Sequence, residues 1–253
     1  MILEPYLPQE ENVEPNLKDI SPDEPFRFEC SSTVPCFNEC CRDLNQFLTP
    51  YDIVRLKNHS DMSSGDFLKN YCSRHTGPES GLPVVSLRPL SAPQLTCPFV
   101  TTAGCSVYEN RPSSCRTYPL VRVISRSRET GIINERFMVL KESHCLGFNE
   151  DGTQTVRQWV EQQGLTDYYT YNDMLMGLIS LKNQMRPGPL DVKSGQIFHM
   201  ALNDLDSFRL QIFDNDLLEG HEMEPKRIAA IKTDDVALLE FGIEWVQREL
   251  FGI

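Results

Sequence analysis

The stretch FECSSTVPCFNECCRD, residues 28–43, sets Cys30, Cys36, Cys40 and Cys41 within twelve positions, two of them adjacent. Thiols at that density demand a reason. A chain of 253 residues is long enough to bury a real apolar core, so it does not depend on covalent staples to fold. Its nine cysteines are an odd count and cannot pair completely within one chain. The opening MILEPYLPQEENVEPNLKDI has neither a basic leader nor an apolar core segment, and nowhere is there a run of about 18 apolar residues. We therefore expect a cytoplasmic chain without a membrane partner, in a reducing setting where structural disulfides are rare. Metal binding then becomes the favoured use of the sulfurs.

Working outward, a second group follows as C-x7-C-x9-C, comprising Cys97, Cys105 and Cys115, with Cys145 further on and Cys72 apart from both groups. Pro35, Asn38, Pro98, Gly104 and Pro112 interrupt the two groups, so their thiols belong on loops rather than on one helix face. Loops can bring distant sulfurs to the corners of a tetrahedron, which suits a closed four-sulfur zinc site. An iron–sulfur cluster draws on the same residue types, and Cys97-Pro98 is compatible with one. Spacing does not choose between the two. Neighbouring side chains such as Cys40 and Cys41 usually diverge, so both ligate only if the loop folds sharply or if two metal centres lie close together. Cys72, at the end of a short amphipathic helix, reads as a buried small hydrophobe. A redox sensor is a weaker reading, because it needs two or three thiols rather than eight.

Arg42, Arg111 and Arg116 thread the cysteine groups, and Arg122, Arg126 and Arg128 lie on a hairpin. Arg42 and Arg116, each next to a candidate ligand, are placed to offset thiolate charge, whereas the hairpin arginines read as a solvated turn. His144 precedes Cys145 but reads as an exposed side chain, and His199 as a partly buried helix residue. No phosphate loop and no nucleophile–base order is visible. Charge is uneven. Residues 1–25 carry one basic and seven acidic side chains, 26–150 fourteen and twelve, and 151–253 nine and seventeen. Such a balance argues against a nucleic-acid surface, which needs a dominant positive field.

The Pro-rich first 25 residues should be extended. TPYDIVRLKNH predicts a helix with Thr49 as N-cap, Pro50 at its first position and Asp52 closing a capping box; Ser63 and Asp66 repeat the spacing before a second short helix. PVVSLRPL, residues 83–90, predicts a strand, and LVRVISR and GIINERFMVL flank SRETG as a β-hairpin. From about residue 153 the pattern turns helical, and four helices are expected, one of them spanning IFHMALNDLDSFRLQIF. The fold class is α+β: an extended segment 1–25, a loop-rich cysteine module 26–150 with short helices and a small hairpin sheet, and a helical region 151–253 packed on it.

The run ending in CCRD, the block CPFVTTAGCSVYENRP, the CRTYPL that follows it and Cys145 together resemble the YkgJ-type cysteine-cluster family, to which zinc or iron chelation is ascribed. That resemblance implies ligand roles for Cys30, Cys36, Cys40, Cys41, Cys97, Cys105, Cys115 and Cys145, and leaves Cys72 outside the pattern. The spacing before the adjacent pair is wider than the family's compact form, so Cys30 departs most from it. The flagellin lysine N-methylase resembles the same cysteine region and is associated with an iron–sulfur cluster. These resemblances favour a metalloprotein holding an iron–sulfur cluster, with zinc as the alternative cofactor. A lysine N-methylase-like modifying enzyme and a redox-responsive interaction protein are further readings, although no S-adenosylmethionine motif is recognisable.

Overall fold

In the computed structural model the described residues are 16–78, 80–90, 93–126, 133–215, 217–218 and 223–252. They form a mixed α+β structure of helices and small antiparallel sheets, in agreement with the sequence. The chain divides into two compact units, one made of residues up to Glu39 with Thr117–Gln163, the other of Cys40–Arg116 with Gly164–Ile253.

The first unit is built on the expected hairpin. Leu120–Arg126 pairs antiparallel with Ile133–Leu140, with Leu120 opposite Val139 and Arg126 opposite Ile133. The turn SRETG with Arg128 lies outside the described residues, as does the side chain of Arg126. Leu17–Ile20 adds a third strand along Ile133–Leu140, so the described part of the Pro-rich start is extended and hydrogen-bonded. A second ladder joins Pro25–Arg27 to Thr153–Thr155. From it Thr155 caps the helix Val156–Gln162 in a capping box with Gln158. Phe28, 2 % exposed, is the hub of this unit's core. Its ring meets Tyr118, Phe148 and Trp159 edge-on at 6.0, 5.1 and 5.5 Å. T-shaped packing of this kind adds roughly 0.5–1.5 kcal/mol per pair beyond burial.

The second unit opens on a three-stranded antiparallel sheet with Pro83–Leu87 between Phe47–Leu48 and Cys72–Thr76. Helix Pro50–His59 starts as its sequence predicts. Thr49 accepts the Asp52 N–H while the Asp52 carboxylate accepts the Thr49 N–H, and Pro50 supplies a preset φ. Ser63 caps Ser64–Tyr71 by accepting the Asp66 N–H at 3.1 Å, and its hydroxyl donates to the Asp66 carboxylate at 2.8 Å. The helices Leu165–Met185, Val192–Asn203, Leu205–Asp214, Pro225–Thr233 and Asp235–Phe251 complete the unit. The last of these, lined with buried Leu238, Leu239, Phe241, Ile243, Trp245 and Val246, packs against the other four and against Pro50–His59. Gly242 faces Ala201 so closely that a Cβ there would run into the Ala201 carbonyl, which is why two helix backbones can approach at that point.

Two features differ from the helical periodicity. The segment expected as one helix breaks at Asp204, whose φ of −109° and ψ of 66° are not helical. Ser64 enters the break. Its hydroxyl donates to Asp204 at 2.7 Å and accepts the Asp206 N–H at 2.9 Å, while the Ser64 N–H donates to the Asp206 carboxylate at 2.7 Å. Long-range polar contacts with Ser64 thus overrule a periodicity that runs straight through Asp204. The second difference is Pro225–Thr233, a helix started by Pro225 at its first turn. Its core-facing pattern is too slight to announce it: Ile231 is the fully buried hydrophobe there.

Buried charge ties these helices together. Lys57 lies 2.7 Å from Asp235 and 3.4 Å from Asp206, and Arg209 reaches Asp206 at 2.9 Å.

Candidate metal centre

Each unit carries its own thiols. The larger unit holds Cys40, Cys41, Cys97, Cys105 and Cys115, together with Cys72; the smaller holds Cys30, Cys36 and Cys145.

Cys40 and Cys41 sit on the 3₁₀ turn Glu39–Cys41. Asp43, just beyond, takes a left-handed φ of 51°, so the chain does fold sharply after the adjacent pair. This loop is zipped to the next cysteine loop by backbone bonds from Asp43 N–H to Gln94, Leu44 N–H to Leu95 and Cys97 N–H to Cys41, at 3.0, 2.9 and 2.8 Å. Cys97 leads into a two-residue hairpin in which Val100–Thr101 pairs with Gly104–Cys105 and Val100 lies opposite Cys105. Gly104, at φ 118°, supplies a turn geometry closed to other residues. Two sulfurs accept backbone amides: Cys97 from Phe99 and Val100, Cys105 from Val107. Amide donors aimed at sulfur favour its anionic form.

Cys115 arrives on the short helix Ser113–Thr117. Fully buried Asp52 anchors that helix by accepting the Ser113 N–H at 2.7 Å. The Cys115 thiol donates to Gln46 Oε1 at 3.4 Å. Arg116 is buried, spans back to the carbonyls of Arg111 and Glu109, and lies 4.9 Å over the Tyr168 ring. Arg111 stacks on Tyr108 at 3.7 Å, and its charge acts on Cys115 and Cys105. Arg42 is exposed. Sequence reasoning linked Arg42 and Arg116 to thiolate charge; Arg116 is seen bracing backbone, and the Arg111 guanidinium also acts on the sulfurs of Cys115 and Cys105.

Electrostatics binds the five sulfurs into one group. The Cys40 hydrogen bond and then burial push the Cys41 thiol far above its ordinary range, with the charges of Cys97 and Cys115 adding to the effect. Burial, and the charges of Cys105 and Cys40, raise Cys97. Cys105 is raised by burial and by Cys40. Cys115 keeps an open flank, yet the dense protein around its sulfur, followed by the charges of Cys97 and Cys40, pushes it up to about 12. Thiolates this close oppose one another's ionisation. A thiophilic cation reverses the sign of that effect, because it binds deprotonated sulfur. The donor set therefore fits a zinc ion or an iron–sulfur cluster, although among the described residues no three His, Cys, Asp or Glu side chains stand at ligation geometry.

Cys72 behaves as its position suggests. It is 4 % exposed in an apolar cluster with Leu56, Phe67, Val85 and Leu87, and burial pushes its thiol up to about 12.

In the smaller unit Cys36 and Cys145 are half-buried and Cys30 is exposed. The Leu146 N–H donates to the Cys36 sulfur at 3.1 Å, and the Gly147 N–H serves Cys145. The Cys36 side chain lies within hydrogen-bonding reach of Cys145, whose thiol is raised by burial against the pull of Tyr118 and Gly147. The Tyr118 hydroxyl is buried without a partner of normal geometry, beside Cys145 and Glu142. His144 is directed to Glu142 at 3.7 Å. Asp52, Gln46 and Tyr118 went unread as site residues, since only Asp52 carried a sequence signal and that signal announced a helix cap.

No helix among the described residues is long and apolar enough to cross a membrane. Neither a curated protein nor a solved structure matches the chain. Residues 29–146 match the family CxxCxxCC, described as "Putative zinc- or iron-chelating domain". The match takes in both cysteine groups and Cys145, so this part of the chain is similar to that cysteine-cluster family.

Proposed function

We propose that the protein is a metal-binding protein of a reducing, cytoplasmic setting, holding an iron–sulfur cluster or zinc through thiolates drawn from Cys30, Cys36, Cys40, Cys41, Cys97, Cys105, Cys115 and Cys145. Its principal centre lies in the larger unit. One observation supports this reading above the rest: Cys97, Cys40 and Cys105 all act on the ionisation of Cys115, Cys105 and Cys40 act on that of Cys97, and Cys40 acts on that of Cys105, so four sulfurs occupy one neighbourhood. Backbone amides already turned toward Cys97 and Cys105 are what a thiolate ligand needs from its surroundings. Such a centre serves structure, metal handling or electron transfer.

The test is metal and sulfide analysis of full-length protein purified without oxygen. Brown protein with broad visible absorption and stoichiometric iron and sulfide identifies a cluster, while colourless protein with stoichiometric zinc identifies the closed zinc site. The double variant Cys97→Ser/Cys115→Ser is expected to lose that metal, and Cys72→Ala to keep it. Protein that carries neither metal and takes up neither on reconstitution overturns the proposal.

A further inference from the structure

The three-stranded sheet of the larger unit buries one face, through Leu48, Val85, Leu87 and Cys72, and leaves the other open. Its register sets Phe47 opposite Ser86, Ser86 opposite Ser73 and Val84 opposite His75, so these alternate residues share the outward face. Phe47 is 51 % exposed there, with its ring 6.0 Å from that of exposed His75. Cys72–Thr76 is also an edge strand. The Leu87 N–H goes to Gln46 and the Arg88 N–H to Tyr71, so bonding along the central strand alternates and Ser86 and Val84 serve Ser73 and His75. The main-chain groups of Cys72, Arg74 and Thr76 therefore point away from the sheet. Those of Cys72 are taken, by the Leu68 carbonyl and the Arg88 guanidinium. Arg74 and Thr76, both exposed, each hold out a donor and an acceptor.

The charge at this edge runs against that of the chain. Arg74 and His75 lie on the strand, and Arg88 reaches its first residue and, at 3.2 Å, the Lys69 carbonyl. All four residues are exposed, and among the described residues no carboxylate forms an ion pair with Lys69, Arg74 or Arg88. Residues 40–116 carry eight basic and six acidic side chains, the rest of the chain sixteen and thirty.

We infer that this face and edge form a docking site for an extended acidic segment of a partner protein, which adds as a fourth strand beside Cys72–Thr76. Its backbone bonds Arg74 and Thr76, its carboxylates meet Lys69, Arg74 and Arg88, and an apolar side chain covers the His75–Phe47 pair. An oligonucleotide would meet the same cations and rings, but a peptide strand also satisfies the open main chain. A segment seated on Phe47 lies next to Gln46, which accepts the Cys115 thiol; binding itself does not depend on the metal.

The experiment measures fluorescence anisotropy of the full chain, as purified without oxygen, with a fluorescein-labelled heptapeptide that alternates glutamate with valine and carries phenylalanine at its centre. Saturable, salt-sensitive binding is expected, and the same peptide with lysine for glutamate should bind at least tenfold more weakly. Thr76→Pro removes an outward donor and leaves the ladder to Pro83–Leu87 intact; it should weaken binding roughly tenfold. Phe47→Thr should weaken it roughly fivefold, and Lys69→Glu/Arg74→Glu should remove the salt-sensitive part. Metal content and urea midpoint should stay at wild-type values in all three variants, which separates this surface from the metal centre. No saturable binding by wild type, equal binding of the lysine peptide, or full binding by Thr76→Pro overturns the inference. Tighter binding of labelled oligothymidylate than of the peptide also overturns it, in favour of a nucleic-acid platform.

Discussion

Asp52 is fully buried and sits where two elements are pinned together. Its carboxylate accepts the Thr49 N–H at 2.9 Å, the Ser113 N–H at 2.7 Å and the Ser113 hydroxyl at 3.2 Å. The first bond closes the cap of helix Pro50–His59, and the other two anchor the helix that carries Cys115. Asp52→Ala strands two amides and a hydroxyl away from water. Each stranded donor costs roughly 1–3 kcal/mol, and partial relaxation of the Ser113 end brings the expected loss to about 4 kcal/mol. Asp52→Asn keeps the volume and one acceptor oxygen but turns an NH₂ toward a donor, so about half that loss is expected. The assay is urea unfolding of the apo protein followed by far-ultraviolet circular dichroism, with the slope checked for constancy. Zinc competition run in parallel should show Asp52→Ala weakened, because Cys115 is no longer held. An Asp52→Ala loss below about 1 kcal/mol at unchanged slope would refute the claim that this carboxylate is the anchor.

Three further outcomes are expected. Burial, then the Arg74 charge, lowers His199 from 6.5 to about 4. The unfolded chain therefore binds a proton below pH 6.5 that the fold refuses, so this stability is complete above pH 6.5 and falls away toward pH 4. The loss is about 2–3 kcal/mol between pH 7 and 4.5, and urea midpoints of His199→Gln should show a correspondingly flatter profile. Gly242→Ala, which drives a methyl into the Ala201 carbonyl, should cost about 2–4 kcal/mol and lower the thermal midpoint without affecting metal content. Lys182 is fully buried, and its ammonium donates to the Ser80 and Gly188 carbonyls. Lys182→Met should cost about 3 kcal/mol by stranding those acceptors, and hydrogen exchange should speed up near residues 80 and 188 first.

What could be read without coordinates was whatever local chemistry decides. Thr49, Pro50 and Asp52 specify a helix start within four residues, and the alternation in LVRVISR and INERFMVL specifies a hairpin; both are present. Asp204 shows the limit. Nothing in ALNDLDSF announces a break, because its cause is Ser64, 140 residues away along the chain. The thiols follow the same rule one level up. Density and loop residues marked them as a constellation, but their division into five and three follows from where the chain passes between units, after Glu39 and again after Arg116. No spacing rule contains that boundary.

The adjacent pair illustrates what the division accomplishes. Sequence alone allowed both Cys40 and Cys41 to ligate through a sharply folded loop or through two nearby centres. The 3₁₀ turn at Glu39–Cys41 and the left-handed Asp43 supply the sharp fold, so the pair is compatible with a single centre.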